Sequence, residues 1–372
     1  MAKLCLDHIT KIFGTAVEAV KDVTWEVPDK SLVSLLGPSG CGKTTTMRII
    51  AGLETPTSGR VLMDEVDVTD LPARERDVAM LFQFAVVYPG MSVYDNIAFP
   101  LRARGVPSDE ISRRVHEIAE ALALSSILDK TASKMDMSAQ QRVALGRAIV
   151  RPRKLYLLDE PLTNIDPKGR TELRSLLKKI QAELNQTIIY VTHDQTEAMT
   201  LSDKVAVMHE GKILQYDTPE TIYENPAHMF VAHFIGDPGT NLIDCSLKKD
   251  GQKTLLDAGI FTLDASETAS VIENSTTSSE LLLGIRPESI ETSKTKKGLD
   301  WLGAACSLVE PVGNILVLHL LVGGQLIKAI APAAEIIAGE EVYVYLPRSS
   351  MKVFDKKTGK VIVSLKSQSS QE

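Results

Sequence analysis

Hydrophobic and polar positions follow two different patterns along the chain. Up to about residue 235, short β-branched runs alternate with longer segments whose apolar residues recur at helical spacing; the runs occupy 31–36, 155–158, 187–191 and 204–208. Continuously apolar strands separated by helices are typical of α/β layers around a largely parallel, buried sheet. The pattern therefore predicts an α/β domain over residues 1–235.

After Gly236 the pattern changes to runs rich in Thr, Ser, Gly and Val. Apolar strand-like runs recur at 281–285, 315–321 and 341–346, with hairpin-like breaks between them. Short strands separated by turns are typical of an all-β domain. We expect residues 236–372 to form a second, all-β domain, in the shape of a small barrel.

Charge and composition narrow the class of protein. The chain has 372 residues, 44% of them hydrophobic, and a formal net charge of −7, whereas nonspecific nucleic-acid binding needs excess basic charge. The apolar runs fall far short of the roughly 20 residues that a membrane-spanning helix needs. The four cysteines are scattered, with no zinc spacing, and predict reduced thiols. We therefore expect a cytosolic protein of two domains, with no nucleic-acid partner.

A glycine-rich segment follows the first buried strand. It matches G-x-x-x-x-G-K-[ST] with Gly37, Pro38, Ser39, Gly40, Cys41, Gly42, Lys43 and Thr44, and Thr45 continues it. In a P-loop the backbone amides surround nucleotide phosphates, the lysine reaches the β- and γ-phosphate oxygens, and the hydroxyl of the Ser or Thr binds Mg²⁺. A chance glycine turn is the alternative, but the flanking strand and helix argue against it. The segment predicts a P-loop NTPase.

Two adjacent acids end the strand predicted at 155–158. Asp159 and Glu160 follow its apolar run, and strand alternation predicts that they point to opposite sides. Asp159 can then bind Mg²⁺ through water, while Glu160 faces the water that attacks the γ-phosphate. Acids at a strand end are usually unremarkable by themselves. Together with the P-loop they predict a site that binds Mg²⁺ and hydrolyses a nucleotide.

These motifs resemble those of ABC transporter ATPase subunits, specifically the branch that energises bacterial carbohydrate and polyol importers of the maltose and glycerol-phosphate kind. The resemblance covers nearly the whole chain and adds three residues. It implies that Gln83 contacts Mg²⁺ and the attacking water, that His193 contacts the γ-phosphate, and that Phe13 stacks on adenine. Residues 163–166 match the family's D-loop. Alone, Gln83 or Phe13 would more commonly be a surface or core residue; the order and separation of the motifs carry the identification.

The resemblance also implies partners. Residues 85–97 place apolar and aromatic side chains in a stretch expected to be looped, and in the family this region forms a groove for a coupling helix of each integral-membrane permease subunit. A subdomain core is the alternative for any single residue there. The chain is then expected peripherally at the cytoplasmic face of the membrane, working indirectly with a solute-binding protein outside.

The carboxy-terminal half resembles the accessory domain of the same importers. Residues 284–288 and 309–313 resemble its motifs, so the implied fold is an ABC ATPase domain followed by an OB-like (TOBE) domain. In the family this domain helps to hold the ATPase dimer together and can receive regulatory signals. Whether it regulates or braces is left open by the sequence.

One motif departs from the family pattern. The five positions of the Leu-Ser-Gly-Gly-Gln signature hold Met135, Asp136, Met137, Ser138 and Ala139. Aligning 137–141 instead would delete two residues and turn the following helix by about 200°, so we keep the ungapped alignment. In the family the signature clamps the γ-phosphate held by the opposite subunit, and a carboxylate there would repel it. We therefore expect a heterodimer with a second, signature-intact ATPase.

Other functions remain to be weighed. A low-turnover regulatory subunit of the same kind of transporter is the main alternative, because of the signature. A soluble ABC-type ATPase would lack the accessory domain and the groove, and nothing resembles the phosphoryl-acceptor lid of a P-loop kinase. The transported solute cannot be read from this chain.

Overall fold

A computed structural model describes residues 3–84, 86–163, 165–184, 186–276, 279–332 and 336–365. The chain divides into two compact units, Met1–Pro219 and Glu220–Glu372. This division lies earlier than the boundary expected at 235/236. The physical reason is that residues 220–235 are hydrogen-bonded to the all-β segment that follows them. The Arg286 guanidinium donates to the main-chain carbonyls of Tyr223 and Ile235.

The first unit contains ten strands and six α-helices within its described residues. The strands are β1 Leu4–Phe13, β2 Val17–Val27, β3 Leu32–Leu36, β4 Ser58–Met63, β5 Val66–Asp67, β6 Val78–Leu81, β7 Leu155–Asp159, β8 Thr187–Thr192, β9 Lys204–His209 and β10 Lys212–Asp217. The helices are α1 Lys43–Ala51, α2 Val93–Arg102, α3 Ser108–Ala121, α4 Met137–Ile149, α5 Pro167–Leu184 and α6 Gln195–Leu201.

A six-stranded sheet, in the order β10-β9-β3-β8-β7-β6, is the centre of this unit. Its strands β9, β3, β8, β7 and β6 are parallel, and only β10 pairs in the antiparallel direction. Every residue of β3, β7 and β8 is buried, as expected for strands covered on both faces. The α/β prediction is confirmed, and the parallel order brings the ends of β3, β6, β7 and β8 to one edge.

A second, antiparallel sheet has the order β2-β1-β4-β5. Its buried positions alternate with exposed ones along β2, the pattern of a sheet with one face on the core. The inward residues Leu6, Val23 and Trp25 join a core cluster with Val33 and Met47 from β3 and α1. This sheet therefore packs against the elements that carry the phosphate-binding motif.

The second unit is rich in β-structure, with helices α7 Pro219–Glu224, α8 Met229–Phe234 and α9 Ala269–Ser275. The strands are β11 Asn241–Asp250, β12 Lys253–Asp257, β13 Thr262–Asp264, β14 Glu280–Ile285, β15 Glu291–Ser293, β16 Leu302–Val312, β17 Ile315–Val322, β18 Gln325–Pro332, β19 Glu341–Tyr345, β20 Met351–Asp355 and β21 Val361–Ser364. They form two antiparallel sheets, β13-β12-β11-β14-β20-β21 and β15-β19-β16-β17-β18. One core cluster contains buried residues of both sheets, consistent with the expected OB-like domain.

Within the described ranges, no helix has the length and apolarity needed to cross a bilayer.

Candidate functional site

The phosphate loop, residues 37–42, joins β3 to α1 along a backbone path that requires glycine. Gly42 has φ +109°, and a Cβ on it would lie 2.3 Å from the Ala19 carbonyl oxygen. A Cβ on Gly37 would lie 2.2 Å from the carbonyl oxygen of Met208. Since glycine alone lacks a Cβ, only glycine permits this backbone conformation and these close approaches.

The loop is tied to neighbouring strands through Gly211, in the turn between β9 and β10. The Gly211 amide donates to the Cys41 carbonyl at 3.0 Å, and the Lys21 amide of β2 donates to the Gly211 carbonyl at 2.8 Å. At the tip of the loop, Ser39 and Gly40 are exposed. The base of the loop is thus held by backbone hydrogen bonds while its tip remains open to a ligand.

Lys43, the first residue of α1, places its ammonium group inside the loop. The residue is 5% exposed, and Nζ donates to the carbonyls of Gly37 at 2.7 Å and Pro38 at 2.9 Å. Thr44 and Thr45 follow in the first turn and are half-buried. A helix N-terminus, open amides and a buried cation make this segment suited to an anionic phosphate chain.

Asp159, the last residue of β7, has a buried carboxylate. Its pKa is raised to about 6, chiefly by burial and next by the charge of Glu160, whereas Arg48 and Lys43 act to lower it. Two acids at one strand end therefore carry an electrostatic cost that a cation would offset.

The oxygen atoms of Thr44, Gln83 and Asp159 form a donor set that fits Mg²⁺. Within the described ranges, no group of three or more His, Cys, Asp or Glu side chains could hold a metal by itself. Mg²⁺ is commonly held by one or two carboxylates together with phosphate oxygens and water. Asp159, with the Thr44 hydroxyl and the Gln83 amide, supplies oxygen donors of that kind, and the remaining ligands would come from the nucleotide and water.

Glu160 lies immediately after β7, in the left-handed backbone region with φ 44°. Its amide donates to the Val191 carbonyl at 2.8 Å, which ties it to β8. Its Oε2 accepts from Gln83 Nε2 at 3.1 Å and from Thr163 Oγ1 at 3.1 Å, and lies 3.2 Å from His193 Nδ1. The structure therefore brings Gln83, Glu160 and His193, widely separated in sequence, to one carboxylate.

The segment after β8 is held by a buried network that the sequence interpretation missed. Glu197 Oε2 accepts from the hydroxyls of Tyr190 and Thr192, both at 2.8 Å, and burial raises the pKa of Glu197. Asp194 caps α6 by accepting from the Glu197 amide at 3.1 Å. Asp followed three residues later by Glu is a capping-box spacing, and that spacing is the signal that could have identified this network around His193.

The D-loop lies next to Glu160. Thr163 contacts Glu160, as described above, whereas Asn164 lies outside the described residues. Asp166 Oδ1 accepts from the Lys168 and Gly169 amides at 3.1 and 3.0 Å. The segment thus ends in a side-chain cap on the first turn of α5.

Phe13 ends β1 and is 41% exposed. The ammonium of Lys11 lies 4.9 Å from the centre of its ring, and Lys11 is itself held by Glu54 Oε1 at 2.6 Å and the Thr55 carbonyl at 2.6 Å. An aromatic ring that is this exposed and is contacted by a fixed cation can stack against a flat ligand.

A groove of about 450 Å³ lies beyond Gln83. Its lining includes Phe82, Phe84, Val86, Tyr88, Phe99, Arg147, Arg151 and Arg153. The Tyr88 ring packs on Phe99 with centroids 4.7 Å apart, and the Arg147 guanidinium lies 4.8 Å from the Tyr88 ring centre. Phe84 is 68% exposed, and Ala85 lies outside the described residues. We call this surface the post-Gln83 groove.

The segment at the signature position begins α4. Met137 is the first helical residue, and Asp136 is the N-cap, its Oδ1 accepting from the Ala139 amide at 2.7 Å. An aspartate at this position satisfies an amide that would otherwise be free to bind another anion. Asp136 therefore places a carboxylate at the N-terminus of this helix.

Comparison with known proteins extends over both units. A family model described as ABC transporter matches residues 20–163. The chain is 42% identical to the trehalose/maltose import ATP-binding protein MalK of Thermococcus litoralis, covering 97% of this chain and 100% of that protein. It is 40% identical to the xylose/arabinose import ATP-binding protein XacK of Haloferax volcanii, covering 96% and 95%. The dimeric ATP-binding cassette MJ0796, solved with ADP and phosphate, matches with TM-score 0.54 at 27% identity over 58% of this chain and 98% of that one.

Proposed function

This chain belongs to the ABC transporter family of ATP-binding subunits, and from that premise we propose that it powers the import of a carbohydrate, polyol or glycerol-type solute. As a member of the family it is a transport ATPase, which hydrolyses ATP to ADP and phosphate. The proposed solute class is supported by the two relatives named as sugar import proteins, which match over nearly their full length. These relatives do not favour the alternative of a low-turnover regulatory subunit.

One observation carries the proposed chemistry: the Glu160 carboxylate is within 3.2 Å of both Gln83 and His193 at the edge of the P-loop sheet. A general base must lie within hydrogen-bonding reach of the water it activates. We assign that role to Glu160, with Gln83 and His193 orienting the water and the γ-phosphate. Lys43 would neutralise charge that develops on the phosphate oxygens.

The phosphate chain would lie on residues 37–45, and the adenine would stack on Phe13. Thr44, Asp159 and Gln83 would hold Mg²⁺, which would supply positive charge to the phosphate oxygens. Asp159 must be ionised to hold it, whereas its pKa of about 6 shows that burial opposes ionisation. Metal binding and ionisation of Asp159 are therefore coupled.

The post-Gln83 groove is the proposed contact with the membrane. Its exposed Phe84 and Val86 next to the Tyr88–Phe99 pair form an apolar surface that suits a short amphipathic helix. The partners would be permease subunits, which places this chain at the cytoplasmic face of the membrane. A solute-binding protein would act through those subunits without touching this chain.

We further propose that the second ATPase of the complex is a different chain. The Asp136 carboxylate at the N-cap of α4 would face the γ-phosphate of a nucleotide held by the opposite subunit, and two negative charges repel. A partner with an intact signature would complete the site built on Lys43 and Glu160, leaving one competent and one defective site.

The proposal is tested by purifying the native complex through this chain and identifying every subunit. We expect permease subunits and a second ATPase, and ATP-dependent uptake of a sugar or polyol when the complex is placed in vesicles. A complex without permeases would contradict the transport role. A complex with two copies of this chain and full uptake would contradict the heterodimer alone.

A further inference from the structure

The second unit contains a cavity of about 470 Å³ that none of the proposed steps uses. This size falls within the range of roughly 300–1,000 Å³ typical of small-molecule sites. Its wall is one face of the β14–β20 pair, where Gly284 lies opposite Lys352 and Leu282 lies opposite Phe354. Arg286 follows at the end of β14, on the same face as Gly284. The Phe354 ring packs over Gly284, where a Cβ would lie 2.7 Å from Phe354 Cε2, and Arg286 and Lys352 line the cavity beside it.

Both cations are partly buried and lack a carboxylate partner. The Arg286 guanidinium donates to the Tyr223 and Ile235 carbonyls, and Lys352 Nζ donates to Asn225 Oδ1 at 3.3 Å and Ser364 Oγ at 3.0 Å. In the described part of the chain, neither has a carboxylate oxygen within 4.0 Å. These neutral acceptors satisfy some of the N–H groups. The Tyr223 ring, whose centre lies 3.9 Å from Arg286 Cζ, and the more distant Glu288 and Glu224 carboxylates offset only part of the charge.

Electrostatics of the wall disfavour the charged forms of both groups. Burial lowers the pKa of Arg286, and burial followed by the charge of Arg286 lowers the pKa of Lys352. A buried cation without a counter-ion is costly, and an anion placed between two such cations relieves that cost. The wall is therefore arranged for a compact anionic group.

The rest of the cavity is lined by acidic, hydroxyl and apolar side chains. Glu224 and Glu288 line it and are exposed, and Glu288 accepts from the Tyr223 hydroxyl. Ser350 adds a hydroxyl, and Phe354 adds an apolar surface. Carboxylates and a serine can accept hydrogen bonds from ligand hydroxyls, but they would repel a second phosphate. The cavity thus favours a ligand with one anionic group and several hydroxyls.

We propose that this cavity binds a phosphorylated sugar or polyol, with the phosphate between Arg286 and Lys352 and the hydroxyls towards Glu224 and Glu288. The site is separate from the phosphate loop and needs no ATP turnover. It therefore stands independently of the proposed transport function.

The probe is glucose 6-phosphate, titrated calorimetrically into the full chain at low salt. Saturating ADP and Mg²⁺ occupy the phosphate loop, so the probe cannot bind there. We expect one binding event per chain, weakened at least 10-fold by Lys352→Gln and unchanged by Lys357→Gln, a matched charge removal at an exposed position. Thermal unfolding of both variants checks that they are folded.

Two further titrations identify the chemistry. Glucose should bind at least 10-fold more weakly than glucose 6-phosphate, and Glu288→Gln should alter the affinity for glucose 6-phosphate but not for inorganic phosphate. Binding that is absent, or equal in the folded Lys352→Gln variant, would overturn the site. Inorganic phosphate binding as tightly as glucose 6-phosphate would overturn the sugar or polyol assignment.

Discussion

Glu160 is held in an unfavourable conformation at the position where the proposed mechanism needs its carboxylate. A non-glycine residue with φ 44° costs on the order of 1 kcal/mol, and the hydrogen bond from its amide to Val191 helps to hold it there. The left-handed turn, rather than the alternation of an extended strand, directs its carboxylate to Gln83 and His193. Asp159, still within β7, stays in the buried environment.

Replacing Glu160 by Gln should reduce ATP hydrolysis by the complete complex about 100-fold or more, because the amide cannot accept the proton of the attacking water. ATP binding should persist, since Lys43 and the phosphate loop are unchanged. The measurement is phosphate release alongside equilibrium nucleotide binding. Glu120→Gln, at an exposed position on α3, is the control, and undiminished hydrolysis by Glu160→Gln would refute the assigned base.

Asp159 should make the nucleotide-free chain sensitive to pH. Its folded pKa of about 6 lies above the ordinary value, so the folded state binds the proton more tightly, and stability falls as pH rises from about 4 to 6. Asp159→Asn removes this effect and should stabilise the first unit at pH 7.5 by on the order of 2 kcal/mol. At about pH 3.5, below both the folded and the ordinary pKa of Asp159, the two proteins should unfold alike. Thermal unfolding in a metal chelator measures the difference; an equal gain at both pH values would contradict it.

At the scale of elements, four strands of the six-stranded sheet could be predicted closely because each is an apolar run between polar segments; the pattern does not predict β6 or β10. The runs at 155–158 and 187–191 differ by one residue from β7 and β8. Periodicity carries no information about hydrogen bonds between distant segments. It therefore gave neither the boundary at Pro219, which depends on Arg286, nor the cap that Asp136 forms on α4.

The site residues likewise divide into those that a local sequence pattern predicts and those that it does not. Lys43, Asp159 and Glu160 stand in local patterns whose spacing has a physical meaning. Gln83 and His193 carry no such pattern, and only the family resemblance singled them out. The capping-box spacing from Asp194 to Glu197 is a local signal for one end of the Glu197 network. The hydrogen bonds of Glu197 with Tyr190 and Thr192 join a helix to a strand and have no such signal.

The post-Gln83 groove offers a test at the same scale. Phe84→Glu should leave basal ATP affinity unchanged, because the side chain is largely exposed and lines the post-Gln83 groove. It should lower permease-stimulated hydrolysis at least 10-fold, since a charge in an apolar interface must be desolvated. Val66→Glu, at a similarly exposed position on β5, is the control. Equal stimulation of the Phe84→Glu and Val66→Glu complexes would argue against docking here.

At the scale of the whole molecule, the signature segment predicts different ATPase activity for this chain alone and for its complex with a second ATPase. The residues proposed to bind and hydrolyse a nucleotide, among them Glu160 and His193, lie together. The helix proposed to clamp a partner's nucleotide has a carboxylate at its N-cap. A homodimer would carry that defect in both sites. A heterodimer would carry it in one.

Restoring the signature should therefore raise the turnover of the isolated chain. The variant carries Asp136→Ser, Met137→Gly, Ser138→Gly and Ala139→Gln, and we expect at least 10-fold faster ATP hydrolysis at concentrations that permit dimers. Glu160→Gln in the same variant should abolish the gain, which excludes a contaminating ATPase. If the restored chain is no faster than the original, the signature is not what limits it.

The hydrogen bonds of Gly211 couple the phosphate loop to a neighbouring strand of the first unit. The amide of Gly211 bonds to Cys41 of the phosphate loop, and its carbonyl accepts from Lys21 of β2. Ligand binding that orders the loop should therefore also reduce the motion of β2. Deuterium uptake at the Lys21 amide, which bonds to Gly211 and not to a loop residue, should slow when nucleotide is added.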